Sequence, residues 1–193
     1  MCESKYFQIA VAAAKRGTDT WTNPQVGAAI VKNQRVLAVG YHHQFGQRHA
    51  EIDALAKLDD ISQAQGATMY VTLEPCSHYG KTPPCAKRLA EVGIAEVIIG
   101  QLDPNPIVSG KGVAILKAHG IKVKVLGDSQ GLNVAYNYFY QHGRPLVTLK
   151  YAMSLDGKIN GAEKKRTLLT QTAAQQDVQK LRRHQQVILV GEH

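Results

Sequence analysis

The chain has 193 residues, a net charge of +8, 44% apolar residues and 20% charged residues, a composition that supports a packed core and excludes wholesale disorder. Its length suits one domain with a remainder, or two small domains, and no run approaches the roughly eighteen consecutive apolar residues of a membrane span. The three cysteines are too few for a disulfide framework, and the N-terminus lacks the layout of a signal peptide. We therefore expect a cytoplasmic protein with reduced thiols and no membrane partner.

Predicted helices and strands alternate along residues 1–143. Apolar residues at helical spacing predict helices over residues 3–16, 49–58, 82–91, 111–118 and 132–142. Short apolar or alternating runs predict strands over residues 26–31, 35–40, 69–73, 97–100 and 122–126. The third helix is expected to begin with Thr82 as its N-cap and Pro83 in its first turn. This alternation indicates a layered α/β domain that ends near residue 143.

A second, shorter region is expected over residues 144–193. The Gly-Arg-Pro sequence at residues 143–145 is typical of a linker. Beyond it, a strand is predicted over 146–151, a helix over 172–183 and a strand over 187–190. About fifty residues rarely bury enough surface to fold alone. This β-α-β fragment is therefore expected to pack against another body or to belong to a larger domain.

His49, Cys76 and Cys85 are the candidate metal ligands. Each lies at the edge of a predicted element, and both of these cysteines follow a proline. One imidazole and two thiolates leave the fourth position of a tetrahedral Zn²⁺ open for water, which is the arrangement of a catalytic site. One alternative is that the cysteines are small hydrophobic residues and His49 lies on the surface. The other is that His78 completes a structural zinc site.

Glu51, two residues after His49, is the candidate proton carrier. Zinc lowers the pKa of bound water towards neutrality, which creates hydroxide at neutral pH. Attack of hydroxide on an amidine-like carbon then needs a group that accepts a proton and passes it to the leaving amine, which a carboxylate not tied to the metal can do. On an ideal helix Glu51 would point about 200° away from His49, so its approach to the metal depends on the geometry of the first turn.

The order of these motifs is similar to that of the zinc-dependent nucleotide deaminases, in which His-x-Glu is followed by Pro-Cys-x-x-Cys. In this chain eight residues, instead of two, separate Cys76 from Cys85. The segment 72–85, TLEPCSHYGKTPPC, resembles the signature of the bifunctional deaminase-reductases of riboflavin biosynthesis. Further resemblance lies in three segments: 23–27 (NPQVG), 103–106 (DPNP) and 149–158 (LKYAMSLDGK).

The resemblance implies a fold and a set of roles for residues 1–143. The fold is a cytidine-deaminase-like three-layer α/β sandwich with a mixed sheet. His49, Cys76 and Cys85 match the zinc ligands of that family, and Glu51 matches its proton shuttle. The reaction implied is hydrolytic deamination of 2,5-diamino-6-ribosylamino-4(3H)-pyrimidinone 5′-phosphate to 5-amino-6-ribosylaminouracil 5′-phosphate.

Six further residues are candidates for binding this phosphorylated pyrimidine. Asn23 and His42 match positions that line the substrate pocket in the family. The insertion between the cysteines supplies a cation and hydrogen-bond donors for the phosphate, and Asn105 follows a predicted strand, where open α/β sheets often bind ligands. The insertion residues are His78, Lys81 and Thr82. Asp-Pro-Asn-Pro at residues 103–106 is also typical of a turn without a binding role.

Residues 144–193 resemble the start of the dihydrofolate-reductase-like reductase domain of the same family, which reduces the ribose with NADPH. The candidate contacts to reductase substrate or cofactor are Lys150, Met153, Asp156 and Arg182. The family's Gly-rich segment and Trp are replaced here by AEKKRTLL at residues 162–169. We therefore expect either no reductase activity or a functional protein that extends beyond this sequence, with NADPH as a cofactor only if the reductase domain is complete. We also expect a homo-oligomer.

Two other functions remain open from the sequence. One is a zinc deaminase of tRNA adenosine, guanine or cytidine compounds, although the long spacer between the cysteines disfavours it. The other is a basic nucleic-acid-binding module with a structural zinc. The charge that supports it lies mostly in residues 144–193, which carry nine basic and four acidic groups. Because aromatic residues make up only 6% of the chain, we expect no nucleic-acid partner.

Overall fold

The structure, a computed structural model, describes residues 2–78, 83–161 and 167–191. The chain divides into two compact units, Met1–Pro145 (unit 1) and Leu146–His193 (unit 2). Among the described residues, every helix is too short or too polar to cross a lipid bilayer.

Unit 1 is built on a five-stranded mixed sheet. Its strands, in chain order, are β1 (Gly27–Lys32), β2 (Arg35–Tyr41), β3 (Thr68–Leu73), β4 (Glu96–Gln101) and β5 (Lys122–Val125). They lie in the order β2-β1-β3-β4-β5. Strand β1 is antiparallel to both of its neighbours, whereas β3, β4 and β5 run parallel. All five strands overlap the predicted ones, and the mixed sheet of the predicted fold class is confirmed.

The helices of unit 1 connect these strands. They are α1 (Cys2–Ala14), α2 (Ala50–Leu55), α3 (Cys85–Glu91), α4 (Lys111–Ala118) and α5 (Val134–His142), with a short 3₁₀ helix at Ile61–Ala64 that the sequence did not predict. The prediction that Thr82 caps α3 is wrong, because the helix begins at Cys85 after Pro84, whose backbone is extended at φ −55° and ψ 133°. Thr82 itself lies outside the described residues.

The core lies on both faces of the sheet because successive strand residues point to opposite sides. On one face, Ile30, Val71 and Ile99 belong to a buried cluster that includes residues of α2, α3 and α4. On the other face, Tyr70 and Ile98 belong to a second cluster with residues of α1. Helices therefore cover the sheet on both sides, which gives the three layers expected from the sequence.

Close packing of α2 on β2 places the start of that helix beside the sheet. A Cβ atom on Gly40 would lie 2.3 Å from both the carbonyl oxygen of Ala50 and the amide nitrogen of Ala54. Only glycine permits this approach, because real Cβ atoms do not come so close to backbone atoms. His49, the residue before α2, is thereby held beside the sheet. The loop that contains Cys76 leaves the same sheet after β3.

Unit 2 contains one helix, α6 (Thr172–Arg183), which matches the predicted helix. The strands predicted over 146–151 and 187–190 are wrong, since the structure assigns no strand to either segment. A strand is defined by ladder hydrogen bonds to a neighbour, and the described residues of unit 2 provide none. Its apolar side chains are correspondingly exposed, with Leu149 at 83% and Leu189 at 92%.

Candidate metal centre and active site

Three side chains separated by up to 36 positions in sequence converge in unit 1. The donor atoms of His49, Cys76 and Cys85 all lie within 4.8 Å of one another. The Cys85 Sγ atom is 3.4 Å from His49 Nδ1. The backbone N–H of Cys85 donates a hydrogen bond of 3.2 Å to Cys76 Sγ. These contacts fix one nitrogen and two sulfur atoms around a common point.

Each donor is positioned by a break in regular structure. His49 is the N-cap of α2, with an extended backbone at φ −69° and ψ 159°. Cys85 is the first residue of α3, and Cys76 lies in the loop after β3, where its carbonyl accepts a hydrogen bond from Ala86 N. Both helix N-termini therefore point towards the donors, and their partial positive charge stabilises thiolates.

The donor set fits zinc in chemistry and in spacing. Zinc in proteins takes cysteine sulfur at about 2.3 Å and histidine nitrogen at about 2.0 Å, which in a tetrahedron separates N from S by about 3.5 Å. The 3.4 Å between His49 Nδ1 and Cys85 Sγ agrees with that value. His78, the fourth ligand that a structural site would need, is not in the cluster of described donors. The described residues therefore leave one coordination position open.

Hydrogen bonds among the two thiols and the imidazole shift the pKa values of all three groups. Hydrogen bonding with Cys85 lowers the pKa of the Cys76 thiol to about 4. Hydrogen bonding with Cys76 raises the pKa of Cys85 well above its ordinary value and raises the pKa of His49 to about 9. Cys76 is thus a thiolate at neutral pH, which is the form that binds metals, whereas Cys85 and His49 release a proton when they bind one.

Glu51 is a buried carboxylate beside the cluster. Its side chain is in hydrogen-bond contact with Cys85, and only 3% of the residue is exposed. Burial raises the pKa of Glu51 to about 7, which suits a group that must both accept and donate a proton near neutrality. His49 and Glu51 face the same site because His49 precedes the helix, so the 200° offset expected for an ideal helix does not apply.

A cavity of about 780 Å³ opens onto this cluster. His49 and Cys76 lie in its wall together with the predicted substrate residues Asn23 and His78. Asn23 Nδ2 is 3.2 Å from His42 Nε2, and the other ring nitrogen of His42 is 3.0 Å from the Arg48 carbonyl oxygen. Burial lowers the pKa of His42, so this ring is neutral at pH 7.

The remaining predicted pocket residues are placed differently. Asn105 does not line the cavity, and its side-chain oxygen accepts the backbone N–H of Ile107 in a local turn. Lys81 and Thr82 fall outside the described residues. The functional contact of all three with substrate stays a prediction.

Several residues of the cavity wall were not predicted from the sequence, among them His43, Phe45 and Arg48. His43 Nε2 lies 3.2 Å from Asp53 Oδ2, and the ring stacks on Tyr41 at a centroid distance of 3.8 Å. Their position in the sequence could have indicated them. Residues 42–48 directly follow the strand that ends at Tyr41, and ligands often bind to loops at strand ends.

A sequence profile described as "Cytidine and deoxycytidylate deaminase zinc-binding region" matches residues 1–101 of the chain. The chain belongs to this family. The matched segment includes the three candidate zinc ligands, His49, Cys76 and Cys85, and the family is one in which zinc is a cofactor.

Relatives of known name extend the similarity over both units. The chain is 44% identical over 193 residues to the riboflavin biosynthesis protein RibD of Bacillus amyloliquefaciens, covering 98% of this chain and 52% of that one. It therefore spans about half the length of this relative. The resemblance to the riboflavin-biosynthesis family predicted from residues 72–85 is confirmed.

Solved structures give the same result. RibD of Acinetobacter baumannii superposes with a TM-score of 0.88 at 44% identity, covering 95% of this chain and 52% of that one. A diaminohydroxyphosphoribosylaminopyrimidine deaminase/5-amino-6-(5-phosphoribosylamino)uracil reductase from Thermotoga maritima superposes with a TM-score of 0.83 at 38% identity, covering 94% and 53%. The three-layer fold of unit 1 is thus the fold of these enzymes.

A second profile, the RibD C-terminal domain, matches residues 145–193. The predicted reductase residues Lys150, Met153, Asp156 and Arg182 all lie in this segment. Asp156 accepts a hydrogen bond from Ser154 Oγ, and Arg182 is in the last turn of α6. Among the described residues of unit 2, no hydrogen bond or ion pair joins any two of the four.

Proposed function

We propose that this chain is a zinc-dependent deaminase of riboflavin biosynthesis. The reaction is hydrolysis of 2,5-diamino-6-ribosylamino-4(3H)-pyrimidinone 5′-phosphate to 5-amino-6-ribosylaminouracil 5′-phosphate. Water adds to the carbon that bears the amino group, the carbon–nitrogen bond breaks, and ammonia leaves as the carbonyl forms. The names of the relatives support the substrate class, since the Thermotoga maritima protein is named as a diaminohydroxyphosphoribosylaminopyrimidine deaminase.

The observation that carries the proposal is the cluster itself. His49, Cys76 and Cys85 offer donors within 4.8 Å of one another, and a cavity of about 780 Å³ leads to them. Those three residues would hold the ion, which when bound supplies Lewis acidity that activates water at neutral pH. The open fourth position among the described donors favours catalysis over a purely structural site.

Glu51 is proposed as the proton carrier. A group in this role must accept a proton from water and deliver it to the leaving amine, so its pKa must lie near the working pH. The buried position of Glu51 and its pKa of about 7 meet that requirement. Its contact with Cys85 keeps the carboxylate beside the reacting centre without making it one of the clustered metal donors.

The substrate is proposed to enter the cavity with its base towards the cluster. Asn23 in the cavity wall and the buried His42, joined by their 3.2 Å contact, are proposed to supply the polar groups for the pyrimidinone ring. His78 in the cavity wall begins the insertion whose Lys81 and Thr82 are proposed to bind the phosphate. Asn105, in the loop after β4 and outside the cavity wall, stays a predicted further contact to the substrate.

Replacing Glu51 with Gln tests the mechanism on the full chain. We expect Glu51→Gln to retain zinc in metal analysis and to release no ammonia from the diaminopyrimidinone phosphate. Glu91→Gln, which changes an exposed glutamate of α3 paired with Arg88, is the matched control and should behave as the unmodified protein. Unchanged turnover in Glu51→Gln would remove this carboxylate from the mechanism.

The same assay tests the substrate. Ammonia should be released from the diaminopyrimidinone phosphate and not from cytidine, guanine or an adenosine-containing tRNA. Release from any of these three alone would replace the proposed function by another deaminase activity of the family. If protein purified freshly and without a chelator contained no zinc, the result would contradict both the proposed function and the other deaminase activities.

For unit 2 we propose that Lys150, Met153, Asp156 and Arg182 belong to a reductase substrate or cofactor site that this chain by itself does not assemble. The described residues give no contact among the four that would support a site. Incubation with NADPH and the deaminated product should therefore show no NADPH oxidation. Steady oxidation would contradict this.

Exposed apolar side chains at the start of unit 2, Val147 and Leu149, support our further proposal of a homo-oligomer in the cytoplasm. Reduced thiols at the metal cluster suit that compartment. Light scattering of the purified chain should give a mass of at least twice the 21.1 kDa of one chain. A monomer at micromolar concentration would contradict oligomerisation.

A further inference from the structure

Glu74 is a buried carboxylate that the proposed mechanism does not use. It lies two residues before Cys76, directly after β3, and only 4% of its surface is exposed. We propose that Glu74 is a positioning residue for the metal centre, which fixes the Cys76 loop by binding the N-terminus of α4. This inference rests on the proposed role of Cys76 as a zinc ligand.

The carboxylate of Glu74 accepts three backbone hydrogen bonds. Oε2 accepts from Gly110 N at 2.9 Å and from Asp103 N at 3.3 Å, and Oε1 accepts from Val113 N at 3.1 Å. A carboxylate can accept at both oxygens, whereas a glutamine would direct an NH₂ group at one of these donors. All three hydrogen bonds therefore require the acid at this position.

Two of these donors belong to the first turn of α4. Gly110 is the N-cap of that helix and offers no side chain to cap it. The first N–H groups of a helix have no partner within it, and negative charge there is favourable. Glu74 thus supplies from β3 the cap that α4 lacks, which ties the helix to the segment that leads into Cys76.

A glycine in α4 makes this contact possible. A Cβ atom on Gly112 would lie 2.1 Å from the carbonyl oxygen of Pro75 and 3.1 Å from Glu74 Oε1. Even alanine would therefore push the helix away from residues 74 and 75. Pro75 is itself fully buried, and Glu74 N donates to the carbonyl of Gln101 at 3.0 Å.

The backbone that delivers Cys76 is consequently held on two sides, by β4 through Gln101 and by α4 through Glu74. The Cys76 Sγ atom must stay at a fixed distance from Cys85 Sγ and His49 Nδ1 for one ion to contact all three. Groups that orient metal ligands typically change metal affinity by about 10–100-fold when they are replaced. We expect a loss of that size from Glu74→Gln.

The test compares four variants of the full chain: Glu74→Gln, Gly112→Ala, Leu116→Ala and Cys76→Ala. Leu116 is fully buried in α4 and is not a hydrogen-bond partner of Glu74, so Leu116→Ala destabilises the same helix while keeping the three donors to the Glu74 carboxylate. The zinc dissociation constant is measured by competition with a chelator, well below each melting temperature. The absorption spectrum of the Co²⁺-loaded protein reports ligand geometry independently of activity.

We expect Glu74→Gln and Gly112→Ala to raise the zinc dissociation constant about 10–100-fold and to alter the Co²⁺ spectrum, with Leu116→Ala matching the unmodified protein in both. Wild-type affinity in the two test variants, or an equal loss in Leu116→Ala, would overturn the positioning role. Zinc retained at wild-type affinity in Cys76→Ala would instead overturn the ligand assignment. Since Gly112→Ala keeps the carboxylate, it tests the same contact if Glu74→Gln does not fold.

Discussion

Two apolar segments of similar composition have opposite environments in this protein. Residues 97–99 of β4 (Val-Ile-Ile) are at most 1% exposed. Residues 187–190 of unit 2 (Val-Ile-Leu-Val) are between 50% and 92% exposed. Both sequences are rich in β-branched side chains and both were predicted as strands. Only the first is one.

The difference shows that the burial of a β-branched segment depends on the strands and helices that pack against it, and not on its own sequence. Strand β4 pairs with β3 and β5, and helices cover both of its faces. Residues 187–190 pair with no other described residue of unit 2. The metal cluster lies in unit 1, where pairing and packing hold residues distant in sequence to within a few ångströms. Three measurements test whether the two units differ in this way.

The largest effect is expected from the metal centre of unit 1. Cys85→Ser should abolish zinc binding at stoichiometric metal and lower ammonia release by about 10³-fold or more, because the ion supplies several kcal/mol of transition-state stabilisation. Leu189→Ala, at a residue 92% exposed in unit 2, should leave both unchanged. Metal analysis and an ammonia assay measure the two quantities. If Cys85→Ser keeps zinc and activity, the chemistry is not at the cluster.

Alanine substitutions in the two segments compare them directly. Ile99→Ala should lower the free energy of unfolding by about 2–5 kcal/mol, because it removes a fully buried side chain and leaves a cavity. Leu189→Ala should change it by less than about 0.5 kcal/mol. Urea denaturation followed by circular dichroism gives both values. Equal losses would mean that residues 187–190 are buried in solution.

The smallest effect is expected where unit 1 is exposed. Lys57 Nζ lies 2.6 Å from Asp53 Oδ2, with 42% of the lysine side chain exposed. Burial alone would raise the pKa of Asp53, but hydrogen bonds from Lys57, the Tyr41 N–H and His43 together hold that pKa below its ordinary value. Lys57→Met should therefore cost no more than about 1 kcal/mol at pH 7, as for other partly exposed ion pairs.

This cost should depend on pH in a defined direction. A carboxylate whose pKa is lowered on folding contributes stability above its unfolded pKa of about 3.9 and loses it as the pH falls through the folded value. The difference between Lys57→Met and the unmodified chain should thus shrink as the pH is lowered below 4. A difference that stays constant to pH 2 would show that the hydrogen bond from Lys57 Nζ to the Val39 carbonyl oxygen at 3.1 Å, and not the ion pair with Asp53, supplies the stabilisation.

Much of unit 1 could be predicted from local pattern. The alternation of helices and strands, the α/β class and the three converging donors were all expected. The motif in residues 72–85 also pointed to the family that the comparisons show. Local pattern predicted the ends of elements less accurately. The predicted N-cap of α3 was Thr82, whereas the structure has Pro84 there, whose fixed φ and missing N–H suit the residue before a helix.

The kinds of element, their order in the chain and the donors available for zinc follow from the amino-acid sequence, because these depend on side-chain chemistry and short-range periodicity. Tertiary structure alone decided that His49 stands outside α2 and so faces Glu51, and that Glu74 caps a helix that begins 37 residues later. It also decided that one β-branched run is a buried strand and another is exposed. Hydrogen-bond partners and burial come from residues far away in the chain, which no local pattern contains.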